Sequence, residues 1–296
     1  MRTLRSTPPS RFRHPDDRRS TAWALVVVAL LSAPACRSRD AATARTAFDA
    51  GAESPSTAAQ PPAEEAGSTT RGEIAGVRYL EHMTGGARPE ERVPMIVALH
   101  PMGGNPEGLL PILGRYHRRA RLILPYGHPR GGMYLWFDSV REDVAAPVVT
   151  READRLAVAL AALVAARPTI GKPLVTGFSQ GGIMTFALAV THPEALAAAF
   201  PISGLLPPSL YPSAALSSRS RPATLPPVSA FHGAADLAVP TRSARASIAE
   251  LRQAGYSAEL REYAGVEHDT SVEEENELLE QIGRAADGLA AAAPAP

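Results

Sequence analysis

The chain has 296 residues, with 30 lysines and arginines against 30 aspartates and glutamates and a formal net charge of zero. That balance excludes the basic footprint of a nucleic-acid-binding protein, and the length is enough for one large domain with flanking segments. A single cysteine, Cys36, excludes an intrachain disulfide.

The chain opens with a basic stretch containing Arg11, Arg13, Arg18 and Arg19, followed by an apolar run from Ala22 to Leu31 and then Ala33-Pro34-Ala35. The run has the length of a secretory h-region and falls short of the about 20 residues that a membrane-spanning helix needs. Residues 1–35 are expected to be a signal peptide. Cleavage after Ala35 would leave Cys36 first, which resembles a bacterial lipoprotein signal, although Ala33 stands where such signals usually have leucine. The resemblance implies a lipid on Cys36, export from a bacterial cytoplasm, and anchoring in the periplasm or at the cell surface. Plain secretion is the alternative. Residues 36–71, rich in Ala, Ser, Thr, Pro and Glu without apolar periodicity, are expected to be a flexible tether.

From residue 72 to 290 strand-like and helix-like runs alternate, and 291–296 reads as a disordered tail. Strands are predicted at Met95–Leu99, Arg121–Leu124, Pro173–Val175, Ala198–Ile202, Val228–Phe231 and Ala258–Tyr263. Helices are predicted at Pro106–Tyr116, Thr150–Arg167, Ile183–Val190, Thr241–Gly255 and Ser271–Leu289. Thr241 is taken as a helix cap and Gly255 as a helix stop, and acidic residues crowd the start of the last helix, where its dipole favours them. Residues 212–227, rich in Ser, Arg and Pro, read as a surface excursion. The alternation predicts an α/β fold, with a mainly parallel sheet covered by helices on both faces.

The motif that carries chemistry is Gly177-Phe178-Ser179-Gln180-Gly181, a G-x-S-x-G turn between a predicted buried strand and a predicted helix. The pentapeptide alone is common, but in this context it reads as a nucleophile elbow, with Ser179 Oγ as the nucleophile. Gly177 and Gly181 let the incoming strand and outgoing helix approach without a side-chain clash. A serine hydroxyl needs a base to take its proton and a carboxylate to orient that base. Such partners belong on loops after later strands, at the C-terminal edge of the sheet. His232 and His268 both follow strands, and Asp236 lies on the loop after His232. The economical assignment is Asp236 as acid and His268 as base, with His232 bracing its loop and His192 ending a helix. Glu267 and Asp269 flank His268 too closely in sequence to orient its ring. The loop His100-Pro101-Met102-Gly103-Gly104 follows an early strand. Its glycines let amides point inward, and because Pro101 has no N–H, Met102 is the expected oxyanion donor, beside the amide of Gln180.

Taken together, Leu99-His100-x-Met102-Gly103, Trp136-Phe137-Asp138, Gly177–Gly182, His232-Gly233-x-x-Asp236-x-x-Val239-Pro240 and Gly265-x-x-His268 resemble the phospholipase/carboxylesterase family of α/β-hydrolases over about residues 75–289. The family includes bacterial carboxylesterases and acyl-protein thioesterases. The resemblance implies an α/β-hydrolase fold, a Ser179–Asp236–His268 triad, oxyanion donors at Met102 and Gln180, an acyl site lined by Trp136, and no cofactor or metal. Pro101 departs from the family, where glycine usually follows the histidine, and it stiffens that loop. The expected function is a serine hydrolase cleaving carboxylic esters, including thioesters or lysophospholipids, with a small acyl ester as its partner. The alternatives are a secreted enzyme resembling polyhydroxybutyrate depolymerases or feruloyl esterases, a peptidase of the same fold, and a non-catalytic surface binding protein.

Overall fold

The structure is a computed structural model and describes residues 69–138, 142–212 and 224–293. The signal segment, Cys36 and all but the last three residues of the expected tether lie outside the described residues.

An eight-stranded sheet organises the described chain, in the order β1-β2-β4-β3-β7-β8-β9-β10. Its strands are β1 (Thr69–Ile74), β2 (Val77–Thr84), β3 (Met95–Leu99), β4 (Ala120–Pro125), β7 (Leu174–Phe178), β8 (Ala198–Ile202), β9 (Val228–Gly233) and β10 (Ala258–Tyr263). A separate hairpin pairs β5 (His128–Arg130) with β6 (Met133–Leu135). From β4 to β10 every sheet neighbour is parallel, and β2 runs antiparallel to both β1 and β4.

The central strands β3, β4, β7 and β8 read as largely apolar runs because both faces of the sheet are covered there. Side chains alternate between two cores, as the period of two requires. Met95, Val97 and Leu99 join one cluster, while Ile96 and Ala98 join the other. The first core takes its helical side from α2 (Glu142–Ala166), α3 (Gln180–Thr191) and α4 (Thr241–Gln253), through Leu156, Leu160, Met184, Phe186, Ile248 and Leu251. The second takes Leu113 of α1 (Leu110–Leu113) and Leu278, Ile282 and Ala286 of α5 (Val272–Ala292).

Pro201 lies inside β8 without breaking the sheet. The amides of Ala199 and Ser203 donate to Pro227 and Phe231 on the β9 side, at 3.0 and 2.9 Å. Pro201, midway between them, has none to give. The ladder to β9 accordingly registers at Ala199↔Val228 and Ile202↔Phe231.

Several local expectations change. Among the described residues the sheet already includes Thr69, inside the expected tether, because Thr69–Ile74 pair with Val77–His82 across an Ala75-Gly76 turn. The helix expected from Thr150 begins at Glu142 and runs through Pro147, whose missing amide falls near the helix start. The helix expected over Pro106–Tyr116 is a 3₁₀ turn, Pro106–Leu109, capped by Asn105, followed by the single turn α1. Thr241 is not the cap of α4. Pro240 holds that position, and Thr241 Oγ1 instead donates to the Gly233 carbonyl at 2.9 Å, tying α4 to the end of β9. At the other end Gly255, at φ 83°, closes α4 in a Schellman arrangement, with Gly255 and Tyr256 amides bonded to Arg252 and Leu251 carbonyls at 2.9 and 3.0 Å. The helix expected from Ser271 begins at Val272 with Ser271 as its cap, and Glu273, Glu274 and Glu275 fill its first turn, as expected of acidic residues there. The helix runs to Ala292, into the expected tail.

Two local constraints hold the fold, one at the start of α3 and one at the opposite end of the sheet. In the first, a Cβ on Gly181 would lie 2.0 Å from the Leu99 carbonyl oxygen, so α3 can start against β3 only with glycine there. In the second, Arg121 on β4 has no exposed surface, and its guanidinium pairs with Glu81 on β2 and donates to the Pro89 carbonyl at 2.6 Å. Arg167 donates to the other Glu81 oxygen at 3.0 Å. Removing one partner of a buried pair leaves an uncompensated charge. Glu81→Ala is therefore expected to lower unfolding free energy by about 3–5 kcal/mol in denaturant titrations. Gly181→Ala is expected to yield insoluble protein or a protein with a sharply lowered melting temperature, because backbone rather than a side-chain end blocks the methyl.

Candidate active site

Ser179 sits between β7 and α3 at φ 55° and ψ −114°, a backbone conformation that side-chain-bearing residues rarely adopt. The turn is held from both sides: the Ser179 amide donates to Ile202 O at 2.9 Å, and the Ile183 amide donates to Ser179 O at 3.0 Å. Strain at this position keeps the hydroxyl clear of both the strand and the helix.

His268 comes from the loop between β10 and α5. That loop can cross the end of β9 because Gly233 lies under it, where a Cβ would stand 2.3 Å from the Glu267 carbonyl oxygen. The Ala235 amide donates to Val266 O at 2.9 Å and pins the crossing. His268 Nε2 is 2.8 Å from Ser179 Oγ, and its Nδ1 is 2.8 Å from Asp236 Oδ2. With Asp236 ionised, Nδ1 carries the proton and Nε2 is left to accept from the serine hydroxyl. The ring is backed by Phe178, 5.1 Å away between centroids. Ser179, His268 and Asp236, named from the sequence, are thus joined in one hydrogen-bonded chain.

Asp236 is 3% exposed and fully engaged. Its Oδ1 accepts from the amides of Ala238 and Val239 at 2.9 and 2.8 Å. Its Oδ2 faces His232 Nε2 at 3.3 Å as well as His268. Burial alone would push the carboxyl up, but hydrogen bonds from His232, His268 and the Val239 amide outweigh it and hold Asp236 well below the usual carboxylate range.

The oxyanion candidates Met102 and Gln180 belong to the two segments that meet at Gly181. Gln180 is the first residue of α3, so its amide has no carbonyl one turn back within the helix. In the loop after β3 the neighbouring amides are already engaged: Gly103 donates to Tyr134 O at 2.9 Å and Gly104 to Pro101 O at 3.1 Å. The Met102 side chain is exposed.

Trp136 corrects the expectation that it lines the acyl site. It is 1% exposed, part of the core, with its indole N–H donating to the His100 carbonyl at 2.8 Å and its ring stacked 4.8 Å from that of His100. An indole spent on an internal hydrogen bond and covered on both faces braces the loop that carries Met102. The Gln180 side chain extends the bracing, accepting from the Trp136 amide and donating to the Phe137 carbonyl, both at 2.8 Å.

Sequence reasoning missed three contributors. His100 is fully buried, donating Nδ1–H to Pro101 O at 2.7 Å while Nε2 accepts from the Gly127 amide at 3.0 Å, and burial lowers its pKa. The β5–β6 hairpin bonds to the loop after β3 through Tyr134. His232, read as a loop brace, does donate to the Val239 carbonyl at 2.7 Å, but it also touches Asp236. His192 caps the end of α3 and pairs with Asp154, as a helix-terminal residue would, while Glu267 and Asp269 are exposed. Among the described residues no group of three or more His, Cys, Asp or Glu side chains is gathered as a metal site.

The chain is similar to a probable carboxylesterase of Oryza sativa subsp. japonica, 36% identical over 100 residues that make 34% of this chain and 36% of the relative. It spans 36–42% of the length of the curated relatives it matches. Its fold is similar to that of Arabidopsis thaliana SOBER1, with a TM-score of 0.57 at 22% identity, over 65% of this chain and 98% of that one. It is also similar to Zea mays acyl-protein thioesterase 2, with a TM-score of 0.55 at 24% identity, over 70% and 98%. The Phospholipase/Carboxylesterase family model matches residues 117–284, more than half of the chain, including Trp136, Ser179, Gln180, Asp236 and His268. The chain therefore belongs to the phospholipase/carboxylesterase family and has an α/β-hydrolase fold.

Proposed function

We propose that this protein is a serine hydrolase that cleaves carboxylic esters or thioesters of small acyl substrates. The observation that carries the reading is the unbroken chain from Ser179 Oγ through His268 to Asp236, with 2.8 Å at each link. The carboxylesterase and thioesterase names of its relatives agree with it.

In this reading Ser179 Oγ attacks the acyl carbonyl as its proton passes to His268 Nε2. Asp236 keeps Nδ1–H in place and offsets the positive charge that forms on the ring. The amides of Met102 and Gln180 stabilise the tetrahedral oxyanion, and their value lies in being fixed before the charge develops. His268 then returns the proton to the leaving alcohol or thiol. A water, activated by the same imidazole, attacks the acyl-enzyme and releases the acid. Because burial alone would raise Asp236, the hydrogen bonds that hold it ionised are part of the machinery and not only of the fold.

We also infer export, with Cys36 lipidated after cleavage at Ala35. The support is the order of basic stretch, apolar run, small residues and cysteine. Replacing Cys36 with Ala is expected to move the protein from the membrane fraction to the soluble fraction of expressing bacteria, and equal membrane retention would refute the anchor.

Three measurements test the chemistry. A fluorophosphonate probe is expected to label Ser179, read by peptide mass spectrometry, and Ser179→Ala to abolish both labelling and p-nitrophenyl ester hydrolysis. Asp236→Asn, which leaves the imidazole in the wrong tautomer, is expected to lower kcat by roughly 10³–10⁴. Met102→Pro removes the amide hydrogen and is expected to lower kcat by about 10²–10³, whereas Met102→Ala removes the side chain but keeps the amide and stays near the parent rate.

A further inference from the structure

Three more polar side chains have almost no exposed surface: Ser203, just after β8, His232, in β9, and Glu274, in α5. Neither Glu274 oxygen, nor Ser203 Oγ, has a hydrogen bond of good geometry among the described residues. Glu274 is the third residue of α5, where the capping hydroxyl of Ser271 accepts from its amide at 3.1 Å. One and two turns further on, Leu278 and Ile282 pack with Phe200, Ile202, Phe231 and Tyr263, so Glu274 occupies the sheet-facing side of α5. A carboxylate in such a place is costly and needs a purpose or a proton.

Resting on the esterase reading above, we infer that His232 and Glu274 are positioning residues for the reaction. His232 clamps the acid of the proposed triad, and the buried Glu274 carboxyl, within electrostatic reach of that imidazole, couples the start of α5 through the clamp to His268.

Three short contacts make the clamp. His232 Nε2 donates to Val239 O at 2.7 Å and lies 3.3 Å from Asp236 Oδ2, while the Val239 amide holds Oδ1 at 2.8 Å. One imidazole therefore fixes both the carboxylate and the loop that supplies the carboxylate's other hydrogen bonds. Without it, Asp236 can rotate away from His268 while its backbone stays in place. Glu274 lies within electrostatic reach of His232, and its other charged neighbours are Asp269, Glu275 and, through Tyr263, the carboxylate of Glu277. Arg115 offsets Glu275 at 2.6 Å. Burial pushes the Glu274 carboxyl up to about 7, against the pull of the Ser271 backbone and His232, with Glu275 and Asp269 adding to the rise. Its proton thus comes off near neutral pH. An ionised Glu274 adds negative charge near the clamp and stabilises the protonated form of His268.

The test uses the full chain. His232→Ala is expected to lower kcat by roughly 10² with KM little changed, because the loss is of alignment and not of substrate contact. His232→Gln, which keeps a donor at similar reach, is expected to recover most of that loss, a rescue that a simple packing defect would not show. Glu274→Gln, a neutral near-isostere, is expected to keep the plateau kcat and to move the acidic midpoint of the kcat profile to lower pH. The NMR titration of the His268 ring should move in the same direction. Between the ordinary glutamate value of 4.5 and about 7 the native state holds a proton that the unfolded chain has lost. Stability should therefore fall as pH rises through that window, and Glu274→Gln should remove the slope. An unchanged kcat in His232→Ala, or His268 titrations that superimpose in the parent, Glu274→Gln and Glu274→Leu, overturns the inference. The titration needs no substrate, so a protein that hydrolyses no ester would sink the esterase reading while this coupling is still decided.

Discussion

The Leu99 carbonyl at the end of β3 and the Cα of Gly181 at the start of α3 stand so close that a methyl group on Gly181 would be 2.0 Å from the oxygen. Most of the site follows from that approach. It brings the loop carrying Met102 beside the turn carrying Ser179, so the two amides assigned to the oxyanion lie on segments already in backbone contact. It leaves the serine no ordinary backbone conformation between strand and helix, and the residue takes φ 55°. The strain is held by neighbours on both sides, chiefly the Ile202 carbonyl, which accepts the Ser179 amide at 2.9 Å.

A second demand is electrostatic. A carboxylate that must stay ionised beside an imidazole has been placed where only 3% of Asp236 reaches solvent. Water is replaced by two amides and two histidines, each aimed at a particular oxygen. Such an arrangement costs solvation energy and returns orientation, because fixed dipoles need not reorganise when His268 takes the proton in the proposed reaction. Glu274 shows the opposite outcome in the same neighbourhood. With no comparable donors, its carboxyl rises to about 7. Two acids near one histidine are thus pushed in opposite directions by the presence or absence of hydrogen-bond donors.

The parallel strands and the three members of the Ser179 chain were legible in the sequence because each is a short-range signal. The apolar runs of β3, β7 and β8 announce burial on both faces, the G-x-S-x-G turn announces the elbow, and Asp236 and His268 sit directly after strands. The antiparallel edge was not legible, since β1 is largely polar and exposed and gains its strand character only by pairing with β2. The β5–β6 hairpin was missed for the same reason, with three residues in each strand and little burial. Trp136 was misassigned because an aromatic residue in a motif looks alike in sequence whether it meets a ligand or a carbonyl. The bond from its indole to His100 is set by tertiary distance alone. Thr241 failed as a cap for a related reason, as its hydroxyl found a better acceptor eight residues back, at Gly233.

The hydrogen bonds between the β5–β6 hairpin and the loop after β3 run both ways: Gly103 donates to Tyr134 O, and Tyr134 donates to Gly104 O at 3.3 Å. The loop therefore behaves as a short third strand of that hairpin, and Met133 rests its sulfur 3.5 Å from where a Cβ on Gly103 would be. The position of the Met102 amide is thus inherited from a structural module outside the main sheet, whose free end is the Gly131-Gly132 tip. Evolution can lengthen, shorten or recompose that tip without touching the sheet, the elbow or the acid–base pair. This makes the hairpin a separately adjustable part, through which descendants of the same scaffold can reposition the Met102 amide of the proposed reaction while Ser179, His268 and Asp236 stay fixed.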